Sequence, residues 1–149
     1  MIAKTSACLL GILLCLLCGG FIQSAWAYNT EDLKRLKATG SCPRCDLSAA
    51  TLDELQLFRS NLSGANLSGA NLSRTNLIAA DLSRADLSGA ILSGANLSGA
   101  DLSSANLSTA ELLATELTLV DFSGAKLERA SLEKANLLKA KLPNADLSW

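Results

Sequence analysis

From residue 47 onward the chain places one large apolar residue in every fifth position and mostly polar or small residues between them. The centres run from Leu47 to Leu147 in twenty-one consecutive pentads, twenty of them centred on Leu and one on Phe122. In an α-helix, residues five apart are rotated by about 140°, so these leucines would spiral round the cylinder and form no stripe. In a continuous strand an odd period throws successive leucines onto opposite faces and leaves half of them in water. The chain must instead change direction once per pentad, so that every leucine points back to one axis. The period predicts an all-β solenoid.

Strand alternation assigns the roles inside a pentad. Ala95 lies two before Leu97 and shares its inward face, while Asn96 lies between them and faces out. Alanine fills that inward slot in fifteen of the twenty-one pentads; Cys45, Ser60, Thr75, Thr115 and Val120 are modest-sized exceptions and Leu55 is the one large one. A small residue beside a large one suits a narrow core whose layers interdigitate. Leu67, Leu87, Leu97, Leu107, Phe122 and Leu127 are expected core positions. The last two residues of the word, often Ser-Gly, form a corner. Glycine accepts positive φ without steric cost, so L-S-G-A reads as a type II turn at Gly64, Gly69, Gly89, Gly94, Gly99 and Gly124. Arg74, Arg84, Ser104, Arg129 and Lys134 occupy the same slot and are expected to take a different turn.

The words A-N-L-S-G, A-D-L-S-R and A-D-L-S-S resemble the pentapeptide-repeat family over residues 45–149. The resemblance implies a right-handed quadrilateral β-helix in which four pentads make one square coil, and hence about five coils here. The pentad period by itself does not distinguish four sides from three. At ~4.8 Å between neighbouring strands, five coils stack to roughly 25 Å.

Ahead of the solenoid, residues 1–27 read as an export signal. Lys4 supplies the basic end, Ala7 to Ile22 is an apolar run of sixteen residues, and Ala25-Trp26-Ala27 offers small residues where a signal peptidase reads. The run is shorter than the ~20 residues of a membrane span, so cleavage after Ala27 is expected and membrane contact ends with it. Neither Cys15 nor Cys18 follows the small residue that a lipidated cysteine requires, and with Cys8 they leave with the signal. Residues 28–44 read as a short N-terminal helix and a Cys-x-x-Cys segment. Asn29 or Thr30 can cap the helix, Glu31 and Asp32 sit in its first turn, and Gly40 closes it. A solenoid end exposes leucines, so this helix is expected to cover the first coil, with Leu55 at the interface.

Cys42-Pro43-Arg44-Cys45 is the one motif with evident chemistry. An exported protein favours a local disulfide. A redox site of the same spacing wants its first cysteine at a helix N-terminus, whereas here the helix precedes the motif. A metal site needs two more ligands, and the rest of the expected mature chain has neither Cys nor His. No metal and no cofactor are therefore expected.

The chain carries no histidine, and its serines recur in corner slots so often that none is marked as a nucleophile. An enzyme is not expected. The net charge of −1 is too mild and too mixed for a nucleic-acid binder, which wants a basic stripe. In steps of twenty, Asn61, Asp81, Asp101, Asp121 and Lys141 fall into one column, with Asp81, Asp101 and Asp121 forming an acidic ladder. Some proteins of the resembled family imitate DNA and bind DNA gyrase. That reading, an acidic DNA-mimic inhibitor, requires residues 1–27 not to be a cleaved signal.

The leading expectation is a non-enzymatic structural or protein-binding module exported from the cytoplasm. The signal, the C-P-x-C-D-L start and the uninterrupted A-N-L-S-G words are similar to exported cyanobacterial members, which implies a thylakoid lumen or periplasm. The same register brings Phe58, Ile78, Ser98, Thr118 and Leu138 together at a corner position where serine is the norm, with Leu119 beside them. Phe58, Ile78, Leu119 and Leu138 are the candidate contacts for a protein partner of unknown identity. Exposed leucines from Leu132 to Leu147 offer a second surface, suited to an end-to-end homodimer through the C-terminal coil.

Overall fold

The computed structural model describes residues 28–148. The expected signal segment, with Cys8, Cys15 and Cys18, and Trp149 lie outside the described residues. No helix among the described residues is long and apolar enough to cross a membrane.

Parallel pairing at a constant offset of twenty residues builds the structure, from Ser41↔Asn61 and Asp46↔Asn66 to Lys126↔Asp146. Twenty is four pentads, so each coil has four sides. The hydrogen bonds alternate between neighbouring coils. The Leu67 N–H donates to the Asp86 carbonyl at 2.7 Å, and the Asp86 N–H returns a bond to the Ala65 carbonyl at 2.9 Å. Each leucine then fills the axis. Leu67, Leu87, Leu97, Leu107, Phe122 and Leu127 are all buried, at most 2% exposed. Alanines such as Ala95 and Ala105 are fully buried beside them, which keeps the coil narrow.

The corners depart from the sequence reading. Gly64, Gly69, Gly89, Gly94, Gly99 and Gly124 have φ between 63° and 68°, the left-handed value a type II turn needs at its third residue. Arg74, Arg84, Ser104, Arg129 and Lys134, expected to turn differently, have φ between 55° and 60° and turn the same way. The reason is the ladder. The Arg74 N–H is itself a rung, donating to the Ser93 carbonyl at 3.1 Å, and the Thr75 N–H closes the corner onto the Leu72 carbonyl at 3.2 Å. Another turn would break both bonds. The left-handed conformation costs a non-glycine residue roughly 1–2 kcal/mol, and the stacked bonds offset it.

Helix α1, Thr30–Thr39, is capped by the Asn29 side chain, which accepts from the Glu31 and Asp32 N–H groups, and by Gly40 at φ 65°. Its buried residue is Leu36, which borders a shallow depression with Leu55 and Leu57. The helix and its flanks hydrogen-bond to the start of the ladder on two sides. The Asp46 N–H donates to Asp32 Oδ2 at 2.9 Å, the Asp46 carbonyl accepts from the Asn29 N–H at 2.9 Å, and the Ser41 N–H donates to Thr39 Oγ1 at 3.1 Å.

The sequence reading starts the solenoid at Cys45, whereas the ladder starts one pentad earlier, at Ser41. Cys42 lies five before Leu47 and takes a leucine's place: it is fully buried, and its N–H donates to the Asn61 carbonyl at 2.7 Å.

Candidate functional site

Most corners that place Ser two residues after Asn or Asp follow one rule. The Asn66 side chain accepts from the Ser68 N–H at 3.1 Å and from the Ser68 hydroxyl at 2.7 Å, so serine braces the turn that it makes. At Ile78 and Leu138 only the backbone half of this remains, each N–H donating to the preceding Asn Oδ1 at 3.2 Å. An apolar side chain here forfeits a hydrogen bond and fills no core. The pairing of Gln56, Asn76, Asn96, Glu116 and Asn136 stacks the residues that follow them, placing Phe58, Ile78, Ser98, Thr118 and Leu138 in one column. The next column is Arg59, Ala79, Gly99, Leu119 and Lys139. Phe58 is 51% exposed, Leu119 57% and Leu138 60%, while Ile78 is half-buried.

The two columns form a strip without a carboxylate and with a cation near each end. The Arg59 guanidinium lies 4.8 Å from the centroid of the Phe58 ring. Ser98 and Gly99 are small residues in the middle rung, between Ile78 and Leu119. Sequence periodicity placed this strip but did not find Ile91 and Leu113, 37% and 41% exposed on the adjoining side. Their signal was present in the same register, as apolar residues in positions where Asn and Ser are usual.

The acidic column is brought together as the register requires, with Asp81↔Asp101 and Asp101↔Asp121 paired along one side. Its carboxylates do the work that asparagine does elsewhere. Asp81 accepts from the Ser83 N–H at 3.0 Å and hydroxyl at 2.6 Å, and Asp101 accepts from the Ser103 N–H at 2.8 Å. The Ser123 hydroxyl and N–H, followed by Lys141 3.8 Å away, hold the Asp121 carboxyl below the usual aspartate range. These are corner braces that happen to be charged.

Cys42 and Cys45 form a disulfide with a Cα separation of 5.5 Å, and both are buried. Arg35, which the sequence did not single out, and Asp32 of the first helical turn surround it. Arg35 Nη2 lies 2.6 Å from Cys45 Sγ and 2.8 Å from Asp32 Oδ1, while the Asp32 carbonyl lies 3.2 Å from Cys42 Sγ. Cys45 is ten residues from Arg35, a contact set by how α1 docks and by no repeat.

The family model for pentapeptide repeats matches residues 42–77, 56–94, 80–112 and 115–149. The chain belongs to the pentapeptide repeat family. Its solved relatives include Rfr23 from the cyanobacterium Cyanothece 51142, 26% identical, covering 78% of this chain and 97% of that one at a TM-score of 0.62. Another is alr5209 from Nostoc PCC 7120, 32% identical, covering 85% and 90% of the two chains at a TM-score of 0.59. AT2G44920, from the Arabidopsis thaliana thylakoid lumen, is 32% identical, covering 68% of this chain and 64% of that one at a TM-score of 0.53. The fold shared with these pentapeptide repeat proteins is the right-handed quadrilateral β-helix. No curated protein matches the sequence.

Proposed function

We propose that this pentapeptide repeat protein is a non-enzymatic protein-binding module that works outside the cytoplasm. Its architecture in this reading is about five coils, shielded at their N-terminal end by α1. The observation that carries the reading is the strip of exposed Phe58, Leu119 and Leu138 with half-buried Ile78, on a surface otherwise rich in Asn, Ser and Gly. Five rungs at ~4.8 Å make it about 19 Å long, the scale of an interaction patch. The complementary partner is a protein carrying an apolar ridge of that length with carboxylates near its ends, opposite Arg59 and Lys139.

Export rests on the signal-like residues 1–27 and on the Cys42–Cys45 disulfide, which suits an oxidising compartment. The lumenal origin of AT2G44920 and the cyanobacterial origin of the other relatives support a thylakoid lumen or a periplasm. Mass spectrometry of the protein from its native compartment tests this first: a chain beginning at Tyr28 is expected, and one retaining residues 1–27 would sink it.

The strip is tested by affinity capture from that compartment with wild type and with Ile78→Ser/Leu138→Ser. A species held by wild type should be lost from the double variant and weakened by Arg59→Glu/Lys139→Glu. Capture unchanged in both, with the fold intact, would remove this side from consideration.

A further inference from the structure

The surroundings of the Cys42–Cys45 pair suit its reduced form better than its oxidised one. A disulfide sulfur donates no proton and is a poor acceptor, so it makes little use of a guanidinium or a carbonyl. Both stand against it here: Arg35 Nη2 lies 2.6 Å from Cys45 Sγ, and the Asp32 carbonyl lies 3.2 Å from Cys42 Sγ. After reduction each contact becomes a hydrogen bond of the right polarity. A Cys42 thiol can donate to the Asp32 carbonyl, and a Cys45 thiolate can accept from the Arg35 guanidinium as a charge-assisted pair. The helix preceding the motif thus presents, through one side chain, the positive charge that redox cysteines elsewhere find at a helix N-terminus.

The same cluster resembles an incomplete metal site, since ligand atoms of Asp32, Cys42 and Cys45 all lie within 4.8 Å of one another. Arg35 argues against that use. Its guanidinium is already against Cys45 Sγ and repels a cation, and the Asp32 carboxylate is committed to Arg35 and to the Asp46 N–H.

We infer that Cys42 and Cys45 form a thiol–disulfide exchange site whose reaction partner is a dithiol, with Cys45 as the sulfur that leaves and Arg35 as the group that receives its charge. The reductant's thiolate attacks Cys42 Sγ, the bond to Cys45 breaks, and its electron pair passes to Cys45 Sγ. The reductant's second thiol, deprotonated, then attacks its own sulfur in the mixed disulfide. Cys42 departs and takes up a proton. One disulfide is cleaved here and one forms in the reductant. Both sulfurs are buried at rest, so attack takes place while α1, an end element of the chain, is transiently lifted, and the Cys45 thiolate pairs with Arg35 when the helix settles back. A dithiol state stabilised in this way makes the disulfide more oxidising than a purely structural one.

The test equilibrates the purified protein with dithiothreitol or glutathione redox buffers and counts reduced chains by alkylation and mass spectrometry. Losing a charge-assisted hydrogen bond should make the Arg35→Gln disulfide about ten- to a hundredfold harder to reduce, and Arg35→Lys should recover part of that change. A second readout uses thiolate absorbance in the Cys42→Ser background, where Cys45 should ionise at lower pH with Arg35 present than after Arg35→Gln. Circular dichroism shows which variants keep the wild-type fold. Equilibria within twofold of one another, or identical thiolate titrations, would overturn the assignment. Neither outcome bears on the apolar strip, which lies elsewhere on the coil.

Discussion

The Thr75 hydroxyl donates to the carbonyl of Leu52, 2.9 Å away and twenty-three residues back, and Thr115 repeats the bond with Leu92 at 3.0 Å. Both occupy the alanine slot, and the neighbouring coil supplies the acceptor. Ser60 is the third hydroxyl in that slot; it is buried, and its Oγ has no partner among the described residues. Twenty-three residues before it lies Lys37, in α1, where no coil exists to offer the equivalent carbonyl. Ser60→Ala should therefore stabilise the protein by about 1 kcal/mol, while Thr75→Val should cost about 1 kcal/mol. Denaturant unfolding of the two variants checks this, and a loss of stability in Ser60→Ala would refute the account.

Leu97 and Asn96 are adjacent but act on different parts of the structure. Leu97→Ala opens the axis and should cost ~2–5 kcal/mol. Asn96→Ala removes the acceptor for the Ser98 N–H and hydroxyl, bonds of 3.0 and 2.6 Å at a partly exposed corner, and should cost about 1 kcal/mol. Equal losses in urea unfolding would contradict the division between axis and corner.

Corner conformation can be tested without touching packing. A Cβ built on Gly69 meets nothing within 4 Å, so Gly69→Ala at φ 63° probes backbone strain alone. It should destabilise by roughly 1 kcal/mol, and Ala114→Gly, at φ 52°, should stabilise by a similar amount. Thermal unfolding should show opposite shifts in melting temperature for the pair.

The pH dependence follows from Asp121 and Asp146, both held below the usual aspartate range. For Asp121 the Ser123 hydroxyl is the main cause, and for Asp146 it is the Ser148 N–H. A carboxyl depressed in the folded state adds stability that is present above its unfolded value of about 3.9 and is lost as pH falls through the folded value. Any change from these groups should therefore be confined to acid, with melting temperature level from about pH 7 to 5 and declining below about 4. Ser123→Ala should make that decline shallower; an unchanged acid slope would remove Asp121 as a contributor.

The leucine period was enough to exclude a helix and a flat strand, because burial of every fifth residue allows no other path for the chain. It did not reveal how corners without glycine behave. Arg74 has a local preference that disfavours left-handed φ, but its N–H is one rung in a stacked array, and a collective constraint overrides one residue's preference. Cys42 was in phase with Leu47 all along, though a pattern read through leucine alone passes over it. The strip was half legible: register put Phe58, Ile78 and Leu138 together, whereas their different exposures depend on how each side chain lies against its neighbours in the coil. Arg35 beside Cys45 was not legible, since that contact depends on the docking angle of a helix outside the repeat.

The offset of twenty residues also governs how such a protein can change length. Removing one pentad between Ile78 and Ser98 would leave the interior in phase, because a leucine would still arrive every fifth residue. The outside would not survive it. Every later side would turn by a quarter, leaving Phe58 and Ile78 on one side and carrying Leu119 and Leu138 round to the next. Removing four pentads together would only shorten the strip by a rung. The coil thus tolerates insertions and deletions inside by fives and outside by twenties, and a binding side can be inherited only in whole coils.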